Sequence, residues 1–146
     1  MSMPRHLLLL APGVIALAAA AGAGQTGTLV VSVSGFHSAS GKLLVGVHDD
    51  PDAFPSKPGA AARSAVVSAR EGRVEFRELP SGVYAVAVCH DENANEKCDT
   101  NFIGIPTEGT GASRGAVGRM GPPKFDDAKF SHEGGAPTLV EVTLSY

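Results

Sequence analysis

Residues 79–90 read Leu79-Pro80-Ser81-Gly82-Val83-Tyr84-Ala85-Val86-Ala87-Val88-Cys89-His90. Pro80-Ser81-Gly82 is a tight turn, because proline presets its own backbone and glycine admits conformations that other residues resist. After the turn, Tyr84, Val86 and Val88 fall on one face, while Val83, Ala85, Ala87 and Cys89 fall on the other. A period of two belongs to a strand, and two apolar faces predict a strand covered on both sides. The stretch therefore predicts a central β-strand from Val83 to His90, around which the rest of the chain is organised.

Working outward, the same period recurs. Leu29, Val31 and Val33 alternate with polar Thr28, Ser32 and Ser34; Leu43, Val45 and Val47 follow a turn around Ala39-Ser40-Gly41. Pro51, Pro55, Pro58 and Gly59 crowd the next segment, which a hydrogen-bonded ladder does not tolerate. Ser64 to Ala69 and Arg73 to Leu79 form a further pair joined by Arg70-Glu71-Gly72, with Val74 and Phe76 inward. Thr138 to Tyr146 closes the domain with Val140, Val142, Leu144 and Tyr146 on one face. Short strands, 18 Gly, 10 Pro and no Trp predict an all-β, antiparallel sandwich of about six to eight strands.

One segment follows neither the strand period nor the helix period. Residues 100–137 are rich in Gly and Pro yet hold Phe102, Ile103, Ile105, Phe125 and Phe130. A disordered linker would lack such anchors. The expectation is one long ordered loop over an end or edge of the sandwich, with a helical turn at residues 123–128. Its role is open between a surface for a partner or ligand and a flap over a sheet edge.

The first residues carry a different signature. Arg5 precedes an apolar run from Leu7 to Ala21, and Ala21-Gly22-Ala23 offers a small-residue cleavage site. This predicts a secretory signal at residues 1–23, too short to span a bilayer, followed by a single domain at 24–146. Removing Arg5 takes the formal charge from −3 to −4. No basic cluster points to nucleic acid, and no second apolar segment points to a membrane span.

The stretch after the central strand reads His90-Asp91-Glu92-Asn93-Ala94-Asn95-Glu96-Lys97-Cys98-Asp99. Oxygen-bearing side chains at alternate positions of a tight loop can converge on a hard cation, which seeks six to eight oxygens. The expected Ca²⁺ set is the side chains of Asp91, Asn93, Asn95 and Asp99 with the backbone carbonyl of Lys97. The bidentate twelfth ligand is missing, since Phe102 stands there, and Glu108 is the carboxylate that could replace it. The competing reading is a metal-free loop shaped by Asx turns. Cys89 and Cys98 flank this loop. An oxidising compartment favours a disulfide between them, a clamp contributing roughly 2.5–3 kcal/mol, against a free thiol pair or a soft-metal site.

Leu79-Pro80-Ser81-Gly82-Val83-Tyr84 resembles the Leu-Pro-x-Gly-x-Tyr signature of prealbumin-like (Ig-like) sandwiches, among them transthyretin-like and carboxypeptidase-regulatory-like modules. His90-Asp91-Glu92-Asn93-x-Asn95, Asp99-Thr100-Asn101, Gly104-Ile105-Pro106, Gly121-Pro122-Pro123, Phe125 and Asp127-Ala128 extend the resemblance to the bacterial secreted family known as domain of unknown function 2141. The resemblance implies a small exported β-sandwich, in periplasm or medium, and no established activity. Two departures stand out. Glu96 occupies a place where the family pattern usually has Gly, and Cys89 and Cys98 stand where it is usually apolar.

Catalysis and transition metals have weaker grounds. His48-Asp49 and His90-Asp91 are His-Asp pairs at strand ends, which could join to hold Zn²⁺ or Cu²⁺ if the strands are neighbours, or could simply cap those ends. The transthyretin-like fold also hosts a hydrolase, for which His48 or His90 would serve as general base. The hydrolase's Tyr-Arg-Gly-Ser is absent, with Leu144-Ser145-Tyr146 in its place. No nucleophile elbow or His-Glu-x-x-His is present either. The sequence thus predicts a non-catalytic binding or structural module, meeting an envelope protein or ligand through residues 100–137.

Overall fold

The computed structural model describes residues 24–56 and 58–146. The expected signal segment, residues 1–23, lies outside the described residues. Eight strands are present among them: β1 (Thr26–Ser34), β2 (Lys42–His48), β3 (Arg63–Ser68), β4 (Arg73–Pro80), β5 (Gly82–Asp91), β6 (Gly109–Ala112), β7 (Phe130–His132) and β8 (Thr138–Thr143). They make two sheets, one ordered β4-β1-β8 and the other β3-β2-β5-β6, with β7 also pairing β5. Among the described residues the one α-helix, α1 (Phe125–Ala128), sits inside the predicted helical turn.

The sandwich core follows from the alternation. Leu29, Val31, Val33, Val74, Phe76, Val140 and Val142 from the first sheet meet Leu43, Val45, Val47, Tyr84, Val86 and Val88 from the second in one buried cluster. Leu79 joins them only because of a register shift: Gly27 pairs Leu79 whereas Leu29 pairs Phe76. Arg77 and Glu78 therefore share the place opposite Thr28, and Glu78 takes a positive φ of 53°. The extra residue makes two consecutive side chains exposed and returns Leu79 to the interior.

β5 is central, as its two apolar faces require. Tyr84, Val86 and Val88 enter the main core, while Ala85 on the opposite face belongs to a second cluster with Phe54, Ala112, Phe125 and Ala128. At the start of β5 the Tyr84 hydroxyl donates to the Pro80 carbonyl at 2.9 Å and closes the Pro-Ser-Gly turn.

Two expectations are corrected. The strands are antiparallel except for β1 and β8, which run parallel in register from Leu29–Thr138 to Ser34–Thr143. A parallel neighbour needs a long crossover, and almost the whole domain intervenes. Residues 100–137 are also not one loop over an end or edge. They contain β6, a 3-10 turn at Ser113–Gly115, α1 and β7, and they cover the outer face of β5. Gly109-Thr110-Gly111-Ala112 hides its strand character because it does not alternate. Gly111 is required there: a Cβ would lie 2.6 Å from the Thr143 carbonyl oxygen. Ser113, fully buried, locks the cover down, its hydroxyl accepting the Val86 N–H at 2.9 Å and donating to the Ala128 carbonyl at 2.6 Å.

Candidate functional site

β5 ends in Asp91, whose carboxylate is completely buried. One oxygen accepts the Asn95 N–H at 3.1 Å and the other the Glu96 N–H at 2.7 Å. A single side chain thereby organises the turn that follows it. Gly41 fits beneath, at φ 77°, where a Cβ would collide with the Asp91 carbonyl.

The turn continues through Asx hydrogen bonds. Asn93 Oδ1 accepts the Asn95 N–H at 3.1 Å, and Asn95 Oδ1 accepts the Lys97 N–H at 2.9 Å. Both asparagines then aim their amides at one carboxylate. Asn93 Nδ2 donates to Asp99 Oδ2 at 2.7 Å, and Asn95 Nδ2 lies 3.0 and 2.9 Å from Asp99 Oδ1 and Oδ2. These amide bonds, Asn95's foremost, hold the Asp99 carboxyl below its usual range, with Lys97 adding to the effect. Glu96, at φ 64°, occupies a left-handed position that favours Gly. Its carboxylate meets Lys42 Nζ at 2.6 Å, which lowers its pKa.

Of the expected ligand set, then, Asn93, Asn95 and Asp99 converge, Asp91 turns both oxygens to backbone, and Lys97 contributes its N–H to Asn95. Phe102, at the twelfth position, points into solvent. Glu108 does reach the loop: Oε1 accepts the Glu92 N–H at 3.2 Å and Oε2 the Asp99 N–H at 3.0 Å. It serves as the floor of the loop, and it does not form a close triple of carboxylates with Asp91 and Asp99. Among the described residues, the group of three acidic, histidine or cysteine donors lying within 4.8 Å of one another is Cys89, Cys98 and Glu108. Its two sulfurs are joined, with the Cα atoms 5.9 Å apart, so the cysteine pair is the disulfide clamp and neither a thiol pair nor a soft-metal site.

The histidines do not meet. In the β2–β5 ladder His48 pairs Ala85 while His90 pairs Leu43, which sets the two at opposite ends. The expectation of a two-imidazole metal site is therefore corrected by register. His90 is fully buried, with Nδ1 at 2.5 Å from the Tyr146 hydroxyl and Nε2 at 2.7 Å from the Ser40 carbonyl. A carbonyl only accepts, so Nε2 carries a proton, and both nitrogens are occupied, which leaves no free base for a substrate. His48 is buried against the edge of Phe54 with Nδ1 unpartnered. A third buried histidine, His132, joins Thr138 Oγ1 at 2.7 Å to the Leu79 carbonyl at 3.1 Å. Sequence reading passed over it, because a lone His in a Gly-rich stretch carries no periodic signal.

No curated protein and no solved structure matches the chain. The family model described as "Uncharacterized protein conserved in bacteria (DUF2141)" matches residues 31–139, from the middle of β1 into β8, with the whole acidic loop inside. That description names no enzyme.

Proposed function

Because the chain belongs to this family, domain of unknown function 2141, we propose that it is an exported, non-catalytic binding module of prealbumin-like fold. In this reading residues 1–23 are removed as a signal, residues 24–146 form one domain, and the protein works in the periplasm or outside the cell. Among the described residues no helix is long and apolar enough to cross a membrane. The partner or ligand surface lies in residues 100–137, of which 102–105 and 117–122 lie outside the protein's own core.

The loop from Asp91 to Asp99 takes Ca²⁺. The observation that carries this reading is the tight turn itself: its sixth residue, Glu96, is left-handed, and the side-chain oxygens of Asp91, Asn93 and Asn95 all turn in toward its backbone. The oxygens of Asn93 and Asn95 that accept backbone N–H groups keep a second lone pair. Asp91, Asn93, Asn95 and Asp99 would hold the ion with the Lys97 carbonyl. Two carboxylates and two neutral amides make a charge-poor set, with affinity on the order of 10⁻⁴–10⁻³ M.

A second reading has its own observation: both amides already donate to Asp99, so the loop is a satisfied hydrogen-bonded turn without an ion. Thermal unfolding in EDTA and then in roughly 10 mM Ca²⁺ separates the two, since that affinity range adds about 1.4–2.7 kcal/mol to the folded state. Asp99→Ala should abolish the gain. Identical melts with and without Ca²⁺ would leave the hydrogen-bonded turn as the function of the loop. The mass of the exported protein tests cleavage after Ala23.

A further inference from the structure

Beyond the acidic loop the chain runs out into a tip that packs against nothing. Phe102 is 98% exposed, Ile103 65% and Ile105 54%, and a Cβ on Gly104 would find open space. Large apolar side chains held so fully in water mark a contact surface.

Most N–H groups of the tip are hydrogen-bonded within it. Asn101 Oδ1 accepts the N–H groups of Ile103 and Ile105, each at 3.0 Å. The Asn101 N–H donates to the Ile105 carbonyl at 2.8 Å, and the Gly104 N–H to the Asn101 carbonyl at 3.0 Å. Thr100 and Pro106 form the bridge that closes its neck. Its base is fastened to the clamped loop, where the Asp99 carbonyl accepts both the N–H and the hydroxyl of Thr107. Four of the tip's N–H groups are thus already used. A loop that docks by adding a strand to a partner sheet would keep them free. A segment that dips into the bilayer interface is favoured when most of its N–H groups are satisfied internally, leaving the Phe102 N–H and the outward carbonyls to headgroup water.

Charge points the same way. No Asp, Glu, Lys, Arg or His occurs from residue 100 to residue 107, and the charged groups at the base are the carboxylates of Glu92, Asp99 and Glu108 with Lys97 beside Asp99, a net acidic set. An acidic collar behind an uncharged apolar tip disfavours anionic lipid surfaces. We propose that residues 102–105 insert into the interface of a phospholipid bilayer with zwitterionic headgroups, the apolar side chains entering the acyl boundary. This does not depend on whether the neighbouring loop takes a cation.

The chain has no Trp, so Phe102→Trp introduces a single tryptophan emitter at the tip. The full-length F102W protein, titrated with phosphatidylcholine vesicles, should show a blue shift and quenching by lipids brominated on the acyl chains. Leu139→Trp, at a position 71% exposed on β8, reports on the rest of the surface, including any effect of residues 1–23, and should not respond. Adding Ile103→Ser and Ile105→Ser to F102W should weaken partition by roughly tenfold or more. An unshifted F102W spectrum overturns the proposal, as does an equal response from L139W. A shift with envelope extract stripped of lipid, and none with vesicles, overturns it in favour of a protein pocket.

Discussion

The Tyr146 hydroxyl meets His90 Nδ1 at 2.5 Å, so a residue beyond β8 in one sheet is bonded to a buried imidazole of β5 in the other. The same oxygen accepts the His37 N–H at 3.1 Å, and the Tyr146 ring stacks on His37 with centroids 3.6 Å apart. In the neutral imidazole, whose one proton is on Nε2, Tyr146 is the donor of the bond.

Tyr146→Phe keeps the stacked ring and removes only the hydroxyl. It leaves a buried nitrogen without a donor, and the expected cost is about 1–3 kcal/mol. A lower urea midpoint with an unchanged slope checks this; an unchanged midpoint means that the bond does not hold the sheets.

Ser113→Ala breaks the tie between the cover and β5. The Val86 N–H and the Ala128 carbonyl both lose their side-chain partner in a dry setting, and a loss of about 1–3 kcal/mol is expected. Amide exchange should rise first in α1 and β6, which the hydroxyl fastens.

Reduction of Cys89–Cys98, or Cys98→Ser, releases a clamp that closes nine residues of sequence separation. The chain-entropy model gives a loss of about 2.5–3 kcal/mol, read as the difference between denaturant titrations with and without reductant. Core strands should keep their far-UV signal, because the disulfide lies at the margin of the sheet.

Acid should weaken the fold through His48. Burial lowers its pKa beneath the ordinary 6.5, against the opposing pull of Asp49 and Asp50. The unfolded chain then binds the proton more readily, so stability falls as pH drops below about 6.5, by up to about 1.4 kcal/mol per unit until the folded group titrates. Melting temperature measured between pH 7.5 and 5 checks the slope, which His48→Leu should flatten.

Much of the architecture was legible because alternation survives wherever one face is buried. Leu43, Val45 and Val47, or Val140, Val142 and Leu144, declare their inward side in the sequence and hold it in the fold. What was hidden has physical reasons. β6 is half glycine because β8 crowds it, so it carries no pattern to read. β7 has three residues, too few for any period. Phe125 and Phe130 pack as apolar anchors, yet Phe102, Ile103 and Ile105, no different in kind, face water. Apolarity alone does not reveal which side of a loop meets the core. The acidic loop was legible in its residues, whereas the use of Asp91 and Glu108 as acceptors for backbone N–H groups belongs to the folded geometry.

The parallel seam between β1 and β8 has a consequence for how the molecule comes into being. Residue 29 cannot find residue 138 until nearly the whole domain has been synthesised, and closing so long a loop is slow and entropically costly. The three-stranded sheet is therefore a late event in the life of the chain. Until β8 arrives, β1 presents an unpaired flank of valines, the stretch on which a chaperone or a premature aggregate would first take hold.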